Sequence, residues 1–409
     1  MQREKRKIIN DPVHGFIAVQ GDLLFSIMDS AWFQRLRRIK QLGLTHLVYP
    51  GALHTRFHHA LGAMHLMQQA IETLRMKGHH ISAEEEEGSL LAILLHDIGH
   101  GPFSHALEYA IIQSMGHEEL SLMMMEHYNR LHSGRLDMAI SIFKGTYPKR
   151  FLHQLVSGQL DVDRLDYLKR DSFFTGVSEG VIGTERIIKM LNVDQDQLVI
   201  EEKGVYSIEK FLLARRLMYW QVYLHKTVLS ADTLLKQILS RGYELTQQGE
   251  PVFATPAFKV FLDGLFSSAS LSNDEIAYRF AMLDDFDVIA SIKAWADHPD
   301  RVLKHLTSML MQRALFRCVL RPEPYTAEET EMMIAKVSQR WGYSHDEAQY
   351  FVFTDSTSNH AYLPDYGPIM ILMKDGTVKN LHEVSDQLDF SFHSQMVVKH
   401  YLCYPKEIE

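Results

Sequence analysis

Apolar residues recur at helical spacing through most of the first half of the chain. From Asp29 to Leu42 the apolar Trp32, Phe33, Leu36 and Ile39 fall on one face, with arginines and lysines opposite, which predicts an amphipathic helix. A second helix is predicted from about His59 to Lys77, where Ala60, Met64, Met67, Ile71 and Leu74 keep the spacing and Gly78 supplies the stop. Ser82 and Glu85 stand in capping-box relation ahead of a third, whose first turns carry four successive glutamates. That helix runs through Leu90-Leu91-Ala92-Ile93-Leu94-Leu95 and ends on His96-Asp97. Gly99 and Gly101-Pro102 break it, so His100 and His105 fall on a turn or on the next helix.

Further along, a helix opened near Asp161 aligns Asp163, Tyr167 and Asp171 on one stripe, since residues four apart share a helix face. A long helical stretch from about Ser207 to Ser240 likewise aligns Arg215, Tyr219 and Tyr223. After Gly242 the composition shifts, and Thr246-Gln247-Gln248-Gly249-Glu250-Pro251 reads as a connector. Beyond it come helical segments near Arg301 to Leu320 and Ala327 to Arg340. Strand-like runs lie at Tyr350 to Phe353, at Ile369 to Met373 before the turn Lys374-Asp375-Gly376, and at Val397 to Tyr404. The pattern predicts a mainly α protein: a helical core over 1–241 and a smaller α+β C-terminal lobe over 242–409, expected to take part in assembly.

At 409 residues the chain is long enough for two lobes. With 46% hydrophobic residues and no apolar run of membrane-spanning length it reads as soluble. The charged start Met1-Gln2-Arg3-Glu4-Lys5-Arg6-Lys7 lacks a signal-type apolar stretch, so the cytoplasm is expected. A net charge of −9 argues against general nucleic-acid binding, and the basic run Arg35 to Lys40 is read as a solvated helix face. Cys318 and Cys403, far apart in sequence, are read as core or incidental residues.

The candidate chemistry lies at the end of the third helix. A histidine and a carboxylate buried there cost several kcal/mol unless a cation or partner satisfies them, roughly the penalty for an uncompensated buried polar group. Ten of the 23 histidines fall between His54 and His117. His59, His96-Asp97 and one of Asp161, Asp163 or Asp166 make a plausible nitrogen and oxygen ligand set, suited to iron, manganese, zinc or nickel better than calcium. The plain alternative is a helix-end histidine hydrogen-bonded to a carboxylate.

These residues sit in longer motifs. Trp32-Phe33-Gln34-Arg35-Leu36-Arg37, Lys40-Gln41-Leu42-Gly43, Tyr49-Pro50-Gly51-Ala52, His54-Thr55-Arg56-Phe57-His58-His59, His96-Asp97-Ile98-Gly99-His100-Gly101-Pro102-Phe103-Ser104-His105 and Asp161-Val162-Asp163-Arg164-Leu165-Asp166-Tyr167 resemble the HD-domain deoxynucleoside triphosphate triphosphohydrolases. The resemblance covers about Lys7 to Lys236, in order, and includes the catalytic part of the mammalian member. That member's SAM domain is not expected here, and the C-terminal lobe matches loosely.

The resemblance implies an HD-domain phosphohydrolase core that splits dNTPs into deoxynucleoside and inorganic triphosphate. It implies His59, His96, Asp97 and Asp163 as ligands of a divalent ion (magnesium, manganese, iron, zinc or nickel), and His100, His105 and His117 beside the phosphates, with His100 and His117 as candidates for proton transfer. Arg56, Arg164 and Arg215 match phosphate-holding positions. Gln41 and Leu42 match residues meeting the sugar, Tyr223 the tyrosine where a 2′-hydroxyl would project, Asp171 a carboxylate near the 3′-hydroxyl, and Tyr167 a position between sugar and phosphates. Tyr219 and Leu224 depart from the mammalian pattern, which has histidine and glutamine there.

A regulatory nucleotide site between subunits is also implied. Asn10, Asp29, Gln34 and Arg37 match its guanine-reading part, and Arg186, Lys203 and Lys226 the adjoining part, although Glu201-Glu202 brings acid to a segment that is basic in the relative. The expected partners are a dNTP substrate, a guanine-nucleotide activator and further copies of the chain, as dimer or tetramer. The simpler reading of Asp29 and Arg37 is a cap on the following helix and a surface charge. Two rival functions stay open: an HD phosphohydrolase for another nucleotide, a monophosphate or cyclic diester, and a non-catalytic nucleotide sensor.

Overall fold

The computed structural model describes residues 6–103, 116–264, 272–359, 367–386 and 397–409. It is mainly helical with three small sheets among the described residues. Helices Arg56–Met76, Ala83–Leu95 and Val162–Thr175 form the heart of the core. The first carries thirteen buried residues besides Gly62, so its apolar character wraps well beyond one stripe, as a central helix requires. The Ser82–Glu85 capping box forms as expected, Ser82 Oγ accepting from Glu85 N and the Glu85 carboxylate accepting from Ser82 N. Lys149 and Tyr147 donate to the same carboxylate, tying this helix start to a later segment.

Several predicted helices are broken. Asp29 to Leu42 is not one helix: Ser30 caps a single turn, Ala31–Gln34, which tightens into a 3-10 turn over Arg35–Arg38. The basic run is not a solvated face throughout, because Arg35 is fully buried and spends its guanidinium on the carbonyls of Leu283, Ile98 and His100. The stretch from Ser207 to Ser240 divides into Val205–Met218, a π turn at Tyr219–Tyr223 and the helix Lys226–Gln247. Arg301 to Leu320 is helical only over Arg301–Met311, and Arg317–Arg321 is a strand. Tyr350 belongs to a 3-10 turn ahead of the strand Phe353–Asn359.

Strands Arg6–Asp11 and Gly15–Gln20 pair as an antiparallel hairpin that periodicity did not suggest. A second unforeseen hairpin, Leu191–Asp194 with Gln197–Glu201, is extended by Met370–Leu372, which pairs parallel to Gln197–Glu201. The C-terminal part of the chain thus completes a sheet begun in the N-terminal part. In the remaining sheet Val397–Tyr404, predicted as a strand, lies between Arg317–Arg321 and Phe353–Asn359. There Cys318 and Cys403 are direct cross-strand partners, both free and both buried, as the core reading expects. Among the described residues no helix is long and apolar enough to cross a membrane.

Candidate active site

Three helices deliver the cluster of histidines and carboxylates. His59 lies on the first turn of Arg56–Met76, His96 is the C-cap of Ala83–Leu95, and Asp163 lies on the first turn of Val162–Thr175. Asp163 Oδ1 stands 3.0 Å from His59 Nε2 and 3.4 Å from His96 Nε2. Asp97 closes the set, with Oδ1 3.3 Å from His96 Nε2 and Oδ2 3.7 Å from His59 Nε2.

The far side of each imidazole fixes one proton. His96 Nδ1 donates to the Ile93 carbonyl at 2.6 Å, and His59 Nδ1 donates to Asp166 Oδ2 at 2.8 Å. Since a carbonyl and a carboxylate only accept, Nδ1 carries a proton in each ring, and Nε2 is the atom that faces the cluster and could bind a cation once deprotonated. Both Nε2 atoms are buried and lack a hydrogen-bond partner. Burial opposes the His59 cation, but the negative charge of Asp163 and Asp166 beside the ring outweighs it and raises the imidazole to about 10. His96 is raised too, its burial overcome by Asp97 and Asp163. Surplus negative charge draws protons onto imidazoles, and a divalent cation answers the same charge through the two Nε2 atoms. The residues fit such an ion.

Of the three aspartates left open by sequence, only Asp163 enters the cluster. Asp161 caps its helix, accepting from Arg164 N at 2.7 Å and Gly158 N at 2.9 Å, and Asp166 stands behind His59.

The cluster opens into a cleft of about 1160 Å³. Its wall includes Arg56, His100, His117 and Arg164 near the cluster, then Gln41, Leu42, Tyr167, Asp171, Tyr219 and Tyr223. Arg56 donates to Asp97, and His100 Nε2 lies 3.3 Å from Asp97 Oδ1. Burial, with Arg56 beside it, depresses His100 well below the ordinary imidazole value, so it is neutral. Its ring stacks on His117 at 4.0 Å between centroids. Arg164 is anchored to Asp161 and the Gly158 carbonyl. Tyr223 donates to Asp171 Oδ2 at 2.7 Å while His54 Nε2 meets Oδ1 at 2.7 Å, which fixes both side chains. Arg215 is buried beside Tyr219, its guanidinium 5.9 Å from that ring. His105 lies outside the described residues.

This constellation has known counterparts. A model of the HD domain matches residues 56–171, and one of an HD-associated region matches 182–251. The protein YwfO of Bacillus subtilis, whose function is uncharacterized, is 30% identical over 99% of this chain and 93% of its own length. The chain belongs to the HD-domain phosphohydrolase family. A crystal structure of a phosphohydrolase from Bacteroides thetaiotaomicron superposes on this HD phosphohydrolase with a TM-score of 0.94 at 51% identity, covering 98% of this chain and 100% of that one. The deoxynucleoside triphosphate triphosphohydrolase SAMHD1 homolog of Dictyostelium discoideum is 33% identical over 57% of this chain. The HD phosphohydrolase spans about half of that relative's length, 49%.

The residues expected at a regulatory site are spread over several elements. Asp29 ends the helix Asp22–Met28 and pairs with Lys7 Nζ at 3.4 Å; it does not cap the next helix, which Ser30 does. Gln34 donates to the Met28 carbonyl, Arg37 donates to Gln34 Oε1, and the Arg37 guanidinium lies 3.6 Å over the Phe57 ring. Asn10 is on the N-terminal hairpin, opposite Phe16. Elsewhere Arg186 donates to the Lys203 carbonyl at 3.0 Å, and Lys226 opens its helix.

His14, Arg170 and Asp285 hold the site from behind, as does Arg35, which the sequence pattern places on a solvated helix face. Their signal is faint, because each partner lies more than a hundred residues away or on another element.

Proposed function

We propose that this HD phosphohydrolase hydrolyses deoxynucleoside triphosphates to deoxynucleoside and inorganic triphosphate, acting in the cytoplasm. The observation that carries the reading is one continuous cleft joining a cation site to a tyrosine gate. His59, His96, Asp97 and Asp163 stand at one end, Arg56 and Arg164 beside them, and the Tyr223–Asp171 pair further along. A divalent ion held by the four ligands supplies Lewis acidity toward phosphate oxygens and makes water a better nucleophile at neutral pH. Arg56 and Arg164 orient the phosphate chain, so that water reaches the α-phosphorus in line with the 5′-oxygen. Neutral His100, stacked on His117, can take or return a proton as the phosphorus–oxygen bond breaks. Gln41, Leu42 and Tyr167 position the sugar, and Tyr223, locked by Asp171, fills the space a 2′-hydroxyl needs.

Incubating the protein with each dNTP and rNTP under Mg, Mn, Fe, Zn or Ni and following phosphorus NMR tests this. Triphosphate is the expected first product, and Asp163→Ala and His96→Ala are expected to lose both metal and turnover while staying folded. Orthophosphate or pyrophosphate as first product defeats the assignment.

We also propose that a guanine nucleotide at Asp29, Gln34 and Arg37 promotes assembly of copies of the chain into a dimer or tetramer, with Asn10, Arg186, Lys203 and Lys226 contributing at the contact. Asp29 can accept both the N1–H and amino hydrogens of guanine, a pattern adenine lacks. A ligand shifts assembly only through its preference for the assembled state. GTP is therefore expected to change both sedimentation and rate, and Asp29→Ala to abolish both responses. No change in either with GTP overturns the proposal.

A further inference from the structure

Behind His59 lies a polar chain that leads out of the HD core. Asp166 is fully buried and receives four N–H groups: His59 Nδ1 at 2.8 Å and Arg170 Nε at 2.9 Å on Oδ2, His14 Nε2 at 2.7 Å and Arg170 Nη2 at 3.0 Å on Oδ1. Arg170, also fully buried, turns its other edge to Asp11, with Nη1 2.8 Å from Oδ2 and Nη2 3.3 Å from Oδ1. Asp11 in turn accepts from the backbone N–H of Val13 and His14, both at 2.9 Å, and so shapes the turn of the hairpin Arg6–Gln20. His14 comes from that same turn.

A second observation shows that the helix bearing His59 is adapted to this chain of contacts. Gly62, three residues on and facing the same way, sits in the interior of Arg56–Met76, where glycine costs about 1 kcal/mol relative to alanine. A Cβ at Gly62 would lie 2.0 Å from Asp166 Oδ1 and 2.2 Å from Arg170 Nη2. The helix gives up a side chain where the Asp166–Arg170 pair must rest.

We propose that the N-terminal hairpin is part of the metal centre: His14 and Arg170, the latter braced by Asp11, are positioning residues that hold Asp166 so that it fixes the ring and tautomer of the ligand His59. The inference rests on the cation site but not on the identity of the nucleotide. Asp166 has two oxygens and four donors, so its carboxylate cannot rotate without breaking several charge-assisted bonds at once. A carboxylate held on Nδ1 directs the Nε2 lone pair at the cation and raises the basicity of the imidazole, which is how partners behind a ligand tune metal affinity. The hairpin, remote in sequence, thereby acts on an atom it never touches.

The test is titration of metal-free protein with Mn²⁺, Fe²⁺, Ni²⁺ and Zn²⁺ separately, by calorimetry, without nucleotide. Asp166→Asn keeps the shape but offers an amide where Arg170 and His14 need an acceptor, and is expected to weaken binding by about 10–100-fold, the range for such outer partners. His14→Asn, at the hairpin turn, is expected to weaken it by about tenfold with unchanged far-ultraviolet circular dichroism. His14→Gln, which can still present an N–H toward Asp166, is expected to recover part of that loss. A merely structural role would lower the melting temperature of metal-free protein and leave the dissociation constants of the folded variants as they are. Unchanged affinity for every ion in folded His14→Asn overturns the proposal, whether or not Asp166→Asn folds. Because no substrate is present, a failure here is distinct from a failure of the triphosphohydrolase reading.

Discussion

Arg215 carries a guanidinium into the interior, yet its Nε and Nη1 have no hydrogen-bond partner. A buried donor left unpaired costs about 1–3 kcal/mol, and more when charged, so the free protein is strained at this point. Such strain is worth keeping where an anion arrives to relieve it. Arg215→Met is expected to stabilise the ligand-free protein by about 1–3 kcal/mol in denaturant unfolding. Tripolyphosphate is expected to raise the melting temperature of the parent and to do so less in this variant. A variant less stable than the parent shows that Arg215 serves the fold and not a ligand. Asp232, on the cleft wall, makes a complementary case. Burial pushes its carboxyl up from 3.8 to about 7, partly offset by Lys236. The folded state therefore keeps a proton that the unfolded chain has released, and stability falls as pH rises through the interval between those two values. Asp232→Asn removes that slope. It is expected to match the parent near pH 4 and to exceed it above pH 7, by on the order of 1–2 kcal/mol in urea unfolding.

At the scale of elements, the π turn Tyr219–Tyr223 forms part of the cleft wall. It interrupts the long helix where an unbroken α-helix would have kept Arg215, Tyr219 and Tyr223 on a single stripe. Tyr219 and Tyr223 reach the cleft wall with rings 5.1 Å apart and nearly perpendicular. π turns are rare and gather at functional sites because they redirect a side chain without ending the helix. In the proposed reading Tyr223 acts through bulk, and its hydroxyl donates to Asp171. Tyr223→Ala is expected to raise the relative kcat/KM for ribonucleotides by about 10–200-fold, the range for steric discrimination in a pocket. Tyr223→Phe keeps the bulk, so it should retain most of the sugar selectivity while losing about 1 kcal/mol of stability. Equal selectivity in the parent and Tyr223→Ala moves the gate elsewhere.

For the whole molecule, the part of the chain after residue 241 is a buttress of the catalytic turn. Asp285 Oδ2 accepts from Lys40 N at 2.9 Å and Oδ1 from Phe103 N at 3.1 Å, while Arg35 spans from Leu283 O to the carbonyls of Ile98 and His100. Phe103 holds a positive φ of 51°, a strained conformation for a bulky residue, which persists only where the surroundings impose it. The segment that carries His100 is thus clamped at both ends by residues from far along the sequence. Asp285→Ala leaves two N–H groups without acceptors and is expected to cost about 1–3 kcal/mol for each. Because the clamp holds both the His100 segment and Lys40, which precedes Gln41 and Leu42 on the cleft wall, kcat and KM are both expected to worsen in steady-state assays. An Asp285→Ala enzyme with parental kcat would separate the clamp from catalysis.

The sequence alone determined the features that depend on neighbours along the chain. The His59 and His96 helices, the Ser82–Glu85 cap, the Asp161 cap and the stripe Asp163, Tyr167, Asp171 all rest on spacings of three or four residues, and all form. Motif order then pointed to the family and to the cation ligands, which the fold brings within contact distance. Spacing alone leaves Asp161, Asp163 and Asp166 equivalent, since they differ only in what each faces; the family motif names Asp163, and the fold brings it beside His59 and His96. Only the tertiary structure decided where the buried Arg35, the cross-strand Cys318 and Cys403, and the parallel strand Met370–Leu372 find their partners. Periodicity reports whether a residue turns inward; it carries no record of which distant residue waits there, and a buried charge takes its meaning from that partner.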